Sequence, residues 1–364
     1  MNRQVLIASL VATTAAALAL ASAAAVAAKP TKPGGGTANQ CAGADTRGFP
    51  SFVFTRQATI NGVNTWGIYV ADDDATCEKL VGSYPFSRTV DMRYDPGTTT
   101  GVLVHDSNGY GLVAAIISVA FTADGSPVVQ ASAFQTLLAV SDVPDPNLAG
   151  WGPVQYIGSP VVSPDGTEIL FRGTDHSTYE SVIWACPLDS AAAMINASAC
   201  RVIHRAVLPT SASWGARPGI IYVTQPALSG SGNSLYRLTL ATNSFEELWS
   251  RGTLLIGAKA TLNSDVERVA LYEPELPSGC SRVLVINADS CASNSCDVLN
   301  GAGHPARSLT WLPNARLGGE GQTAPSRKGK CSAAGTIVTF DATDTSGTTT
   351  TLNQGFYPNG SGGG

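Results

Sequence analysis

The chain carries four histidines, and two of them stand beside carboxylates. His105-Asp106 closes the apolar run Val102-Leu103-Val104, and Asp175-His176 follows Ile169-Leu170-Phe171. Asp106 lies nine residues after Gly97, and Asp175 nine after Gly166, so the two acids hold equivalent places in a repeat. Imidazole with carboxylate suits a divalent ion, which makes His105 and His176 candidate ligands, although no resident metal or other cofactor is expected. Arg56, Gln225, Glu273 and Glu275 end the corresponding apolar runs elsewhere. With His105, Asp106, Asp175 and His176 they form an expected polar ring on one face, suited to a metal, an acidic sugar or a partner loop. No G-x-S-x-G elbow, H-E-x-x-H helix, P-loop or strand-linked Rossmann glycine pattern accompanies them. The residues therefore favour binding over catalysis.

The elements that would position this ring are short strands. Apolar runs recur at Phe52-Val53-Phe54, Trp66 to Val70, Val102 to Val104, Ile169 to Phe171, Ile220 to Val223 and Val269 to Tyr272. Sustained helical periodicity is missing, and 38 Gly and 21 Pro suit many tight turns. Related turns precede many strands: Tyr94-Asp95-Pro96-Gly97, Ser163-Pro164-Asp165-Gly166, Arg217-Pro218-Gly219, Asn263-Ser264-Asp265 and Leu312-Pro313-Asn314. Proline presets φ, Asp or Asn bonds the local backbone, and Gly takes positive φ without steric cost. The intervals are 70 residues from Asp95 to Asp165, 50 to Gly215, 50 to Asp265 and 49 to Asn314. A period near 50 is what a four-stranded propeller blade needs.

A further copy, Phe356-Tyr357-Pro358-Asn359-Gly360, has no strand after it, while Phe52-Val53-Phe54 lacks a turn before it. The two ends are expected to pair, giving an all-β, six-bladed propeller of four-stranded blades closed by its N- and C-terminal strands. Phe121-Thr122-Ala123-Asp124-Gly125 offers a seventh inner-strand turn, but it follows Asp95 by only 29 residues, so an enlarged second blade is the preferred reading.

The Ser163-Pro164-Asp165-Gly166 turn, with Ile169-Leu170-Phe171 after it and Trp184 in the next strand, resembles the blades of TolB-like β-propellers. The resemblance spans residues 49–360 and concerns the propeller module only, without the TolB N-terminal domain. It implies architecture and leaves the ligand open.

Residues 1–28 read as a signal peptide: Arg3, an apolar stretch from Val5 to Leu20, and small residues at Ala25-Val26-Ala27-Ala28. Residues 29–48 read as a flexible linker and 361–364 as a flexible tail. Losing the signal shifts the net charge from −5 to −6, which excludes a nucleic-acid partner, and no later segment is long enough to span a membrane. A periplasmic or secreted monomer is expected, meeting a protein or saccharide partner in the bacterial envelope or outside the cell.

Eight cysteines follow the signal, an even count that reads as disulfides in an exported chain. Strand positions suggest Cys186–Cys200 and Cys291–Cys296 across hairpin mouths and Cys41–Cys77 at the first hairpin, leaving Cys280–Cys331. Asp72-Asp73-Asp74 reads as an acidic turn, and Trp66 and Trp184 as packing within blades. Three functions follow from these residues. The favoured one is a protein- or ligand-binding scaffold. The alternatives are a metal-assisted polysaccharide lyase or hydrolase at the polar face, and a structural module with no ligand there.

Overall fold

The computed structural model describes Cys41 and residues 49–360, apart from 61, 74–76, 86–88, 96–97, 145–152, 175–179, 208–210, 228–231, 252–255, 261–265, 276–279, 293–294, 300–305, 313–315, 323–330, 332, 344–349 and 355. In several strands, among them those after residue 349, only the backbone is described. The chain divides into residues 1–30 and 31–364, and every described residue lies in the second unit. The expected signal, the tail and the linker apart from Cys41 fall outside the described residues.

The described residues are built from antiparallel strands, with two single-turn 3-10 segments and no α-helix. The first strands are β1 (Phe52–Ile60), β2 (Val63–Ala71) and β3 (Glu78–Tyr84). A second group comprises β4 (Val90–Asp95), β5 (Thr100–Asp106), β6 (Gly111–Phe121), β7 (Pro127–Ala131) and β8 (Gln135–Ala139). The third holds β9 (Tyr156–Val162), β10 (Glu168–Thr174), β11 (Glu180–Asp189), β12 (Met194–Ile195) and β13 (Arg201–Val207). Then come β14 (Ser211–Trp214), β15 (Ile220–Pro226), β16 (Asn233–Thr239) and β17 (Ser244–Arg251). They are followed by β18 (Ile256–Ala260), β19 (Arg268–Glu275), β20 (Cys280–Ala292) and β21 (Ser295–Val298). The last are β22 (Ala306–Leu312), β23 (Arg316–Gln322), β24 (Ala333–Asp341), β25 (Thr350–Gln354) and β26 (Phe356–Gly360). Each group forms its own sheet, and β26 joins the first one in the order β26-β1-β2-β3.

In the second and third sheets the outer edge is shared by two strands. β7 and β8 both pair with β6, and β12 and β13 both pair with β11. The 70-residue interval of the sequence is thus filled by an enlarged second sheet. Phe121 to Gly125 is the β6–β7 turn rather than the start of another sheet.

The Ser163 turn shows why its sequence works. Ser163 Oγ donates to Asp165 Oδ1 at 2.6 Å and accepts from Glu168 N–H at 2.9 Å, while Thr167 N–H donates to Asp165 at 3.1 Å. Gly166 closes the turn at φ +73°, a conformation that a Cβ would strain. Partial burial opposes ionisation of Asp165, but these hydrogen bonds outweigh it and hold its carboxyl below the usual range.

Alternation along the second strands sends neighbouring residues into different cores. Val102 and Val104 join Ile169, Phe171 and Trp184 between the second and third sheets, whereas Leu103 joins Val53, Ile68 and Met92 between the first and second. Leu170 packs with Ile221 and Val223, and Tyr222 with Val269 and Leu271. Ala270 meets Leu317 and Phe340, and Leu312 and Ile337 meet Phe52 and Phe54. Every sheet is therefore apolar on both faces. Burying one such side chain fully contributes about 1.5–3 kcal/mol.

Three disulfides lie among the described residues: Cys41–Cys77, Cys186–Cys200 and Cys291–Cys296. All three are pairs read from the sequence. Cys331 is also disulfide-bonded, and the side chain of Cys280 lies outside the described residues.

Polar seams join the inner strands as well. Asp91 on β4 accepts the Val162 N–H at the end of β9 at 2.6 Å, and Asp91 is 4% exposed. Replacing it by alanine leaves that amide without its carboxylate, and Asp91→Ala is expected to lower unfolding free energy by about 1–3 kcal/mol. Urea denaturation checks this, and a loss under a few tenths of a kcal/mol would show the seam to be dispensable.

Candidate functional site

The polar residues singled out in the sequence occupy the second strands of different sheets: Arg56 on β1, His105 and Asp106 on β5, Gln225 on β15, Glu273 and Glu275 on β19. Asp175 and His176 lie outside the described residues, as does the Glu275 side chain. The expected open ring is not what the others form. His105 and Asp106 are fully buried, and Gln225 and Glu273 are nearly so.

Each is held by local partners, and three reach toward the preceding sheet. His105 lies edge-on to Tyr84 of β3, with ring centroids 4.6 Å apart, and to Phe134, 5.4 Å away. Gln225 Oε1 is 2.9 Å from His204 Nε2 on β13, and His204 stacks on Phe245 at 4.2 Å. Glu273 accepts from Arg251 Nε of β17 at 3.1 Å and from Arg282 of its own sheet. Arg56 differs in forming a two-pronged pair with Glu78 inside its own sheet, at 2.7 and 2.8 Å, with its guanidinium over Phe54 and Tyr69. The physical reason is register. The face of the second strand that packs Leu103 or Val223 against the previous sheet continues to its end, so a polar residue there is aimed into the seam.

His105 Nδ1 is 2.9 Å from the Asp106 carbonyl, and Nε2 has no hydrogen-bond partner among the described residues. Burial is the main reason the His105 imidazole is pushed below its ordinary value, with the Asp106 contact opposing it. Burial lowers His204 too, against the bond to Gln225. In both, burial favours the neutral imidazole. No group of three or more His, Cys, Asp or Glu close enough to hold a metal occurs among the described residues. Asp72, from the acidic turn, is buried and accepts the Cys77 N–H at 3.0 Å, while Asp73 faces Arg316 at 3.8 Å.

The side chains presented outward on this side are ones the sequence reading passed over. The β1–β2 and β5–β6 turns are equivalent connections in two adjacent sheets, and they carry the most exposed large apolar residues among those described, Val63 at 64% and Tyr110 at 70%. The β5–β6 turn is firmly seated. Asn108 and Gly109 take positive φ, Gly109 lies under the Tyr156 ring where a Cβ would come within 1.9 Å, and its carbonyl accepts the Ile157 N–H at 2.8 Å. The Asn108-Gly109 pair was the sequence signal for a hairpin tip. Trp66, expected in the blade interior, is only partly buried and lines a cleft beside the β1–β2 hairpin, whereas Trp184 is fully buried as expected.

No family model matches this sequence, and no curated protein matches it. Solved structures do. The crystal structure of TolB from Acinetobacter baumannii is similar over 86% of this chain and 67% of that one, with 14% identity and a TM-score of 0.54. A nidogen/laminin complex aligns over 85% of this chain and 97% of that one, with 10% identity and a TM-score of 0.47.

Because the unfolded chain binds protons at its histidines first, stability should fall as pH drops below about 6.5. Urea unfolding at pH 7.5 and 5.5 checks this. The fall should shrink in His105→Phe, and an unchanged pH slope in that variant would remove His105 as its source. The likeness to TolB, at this identity, establishes a shared fold and nothing finer, and the antiparallel sheets of this chain are consistent with a β-propeller.

Proposed function

We propose that the chain is an exported binding module: a six-bladed propeller over residues 49–360 that engages a protein partner through the face bearing its second-to-third-strand turns. Several contacts support six blades and a closed ring. The first strands of successive sheets touch in the order β4, β9, β14, β18, β22 and β26, and β26 also touches β4. The pairing of Phe52 with Gly360 and of Val53 with Asn359 gives the first sheet its inner strand from the far end of the chain. Export is supported by the signal-like residues 1–28 and by disulfides that persist in oxidising compartments.

The observation that carries the binding reading is the exposure of Val63 and Tyr110 on neighbouring, equivalent turns. Large apolar side chains held outward on rigid hairpins favour contact with a partner, since hydrophobic and aromatic groups dominate interface energetics. Polar residues behind them, one buried and one partly buried, act as supports. His105 beneath the β5–β6 turn and Arg56 at the base of the β1–β2 hairpin fix the strands that present Tyr110 and Val63.

Site-specific photo-crosslinking in cells that produce the protein tests this. A photoreactive residue at position 63 or 110 should yield a discrete protein adduct, and one at Asp124, in the β6–β7 turn at the opposite strand ends, should not. Adducts equally strong at 124, or none at 63 and 110, would overturn the assignment of the face.

A further inference from the structure

Beside the β1–β2 hairpin lies a cleft of about 440 Å³, bordered by Gln57, Thr59, Asn64, Thr65, Trp66 and Pro85. Its volume falls within the range of about 300–1,000 Å³ usual for small-ligand sites. We propose that this cleft binds a neutral saccharide, a function separate from protein docking at the turns.

The chemistry of the walls selects the ligand. The residues that border the cleft carry two carboxamides, two hydroxyls, an indole, a proline ring and a methyl group, and none is charged. A sugar presents apolar C–H faces and a rim of hydroxyls that both donate and accept. The indole and proline rings match the faces, and the carboxamides match the rim because each supplies donors and an acceptor. Internal bonds leave that capacity largely intact. Thr59 Oγ1 donates to Asn64 Oδ1 at 2.9 Å, which orients the Asn64 amide and keeps its N–H groups as donors. Gln57, Thr59, Asn64 and Trp66 share one face of the hairpin, while Thr65, opposite Ala58, is turned to the other face and donates its Oγ1 to the Tyr84 carbonyl at 2.9 Å.

The site is also rigid. Gln57 stands opposite Trp66 and Thr59 opposite Asn64 in an unbroken ladder from Phe52↔Ala71 to Ile60↔Val63, and Trp66 pairs again with Tyr84 on the next strand. The backbone between β1 and β2 is occupied by that ladder, which leaves recognition to the side chains. Acidic polymers are disfavoured. Arg56, the nearest cation in sequence, is bound by Glu78, and the whole chain carries a net charge of −5.

Titration calorimetry on the purified chain tests the proposal with maltotetraose, cellotetraose, chitotetraose and the acidic tetragalacturonate. At least one neutral tetrasaccharide should bind, and tetragalacturonate should bind more weakly. Trp66→Ala should raise Kd about tenfold, and Gln57→Ala about 2- to 10-fold, the equivalent of one stacking contact and one hydrogen bond. Gln57 is exposed, so its variant decides the matter if Trp66→Ala does not fold. The proposal is overturned if no neutral tetrasaccharide binds, if tetragalacturonate binds best, or if Gln57→Ala leaves Kd unchanged. Because the titration needs no protein partner, its failure is distinct from a failure of crosslinking at Val63 and Tyr110.

Discussion

Every sheet in this protein is apolar on both faces, and that constraint governs the remainder. A sheet with one apolar face is satisfied by one partner. Here Leu103 points to one core while Val102 and Val104 point to another, so the second sheet needs a neighbour on each side. The same holds at Leu170 beside Phe171, and at Tyr222 beside Val223. A linear stack of such sheets would leave two apolar faces in water. Leu312 and Ile337 of the last sheet share a core with Phe52 and Phe54 of the first, as the proposed closed ring requires.

Polar residues in the seams follow from the same geometry. At the ends of the second strands, the side chain aimed at the neighbouring sheet is often polar, and it is buried with a partner already waiting. Glu273 meets arginines from two strands, and Gln225 meets His204. On the first strand β4, Asp91 takes a backbone amide across the boundary. Glu267 does likewise for Ala216 and Arg217 N–H, at 3.1 and 2.8 Å. Breaking one of these leaves a buried group unpaired, which costs more than the intact bond contributes. They discriminate between correct and shifted neighbours, because only one register brings both partners together. His105 is the exception that packs between rings, and its neutrality ties the seam to pH.

The proposed binding side is built on this scaffold rather than from it. Residues with the most chemistry are spent on holding sheets together, while the groups left outward are simple: a valine, a tyrosine, and a tryptophan set among amides and hydroxyls. That division suits recognition by surface shape and hydrogen bonding.

The sequence by itself determined the strand-rich class, the spacing of the turns, the three cysteine pairs seen among the described residues and the enlarged second sheet. These depend on local chemistry: Ser163, Asp165 and Gly166 make their turn through bonds within six residues, and Cys186 lies 14 residues from Cys200. What His105, Gln225 and Glu273 do was decided only by tertiary structure. A polar residue at the end of an apolar run looks the same whether it meets solvent or the next sheet. Its partner, such as Tyr84 for His105 or Arg251 for Glu273, sits about twenty residues away on a strand that alternation alone cannot orient. Trp66 was misread for the same reason. Its run is as apolar as that of Trp184, and only the projection of the β1–β2 hairpin beyond the packed seam leaves it at the edge of a cleft.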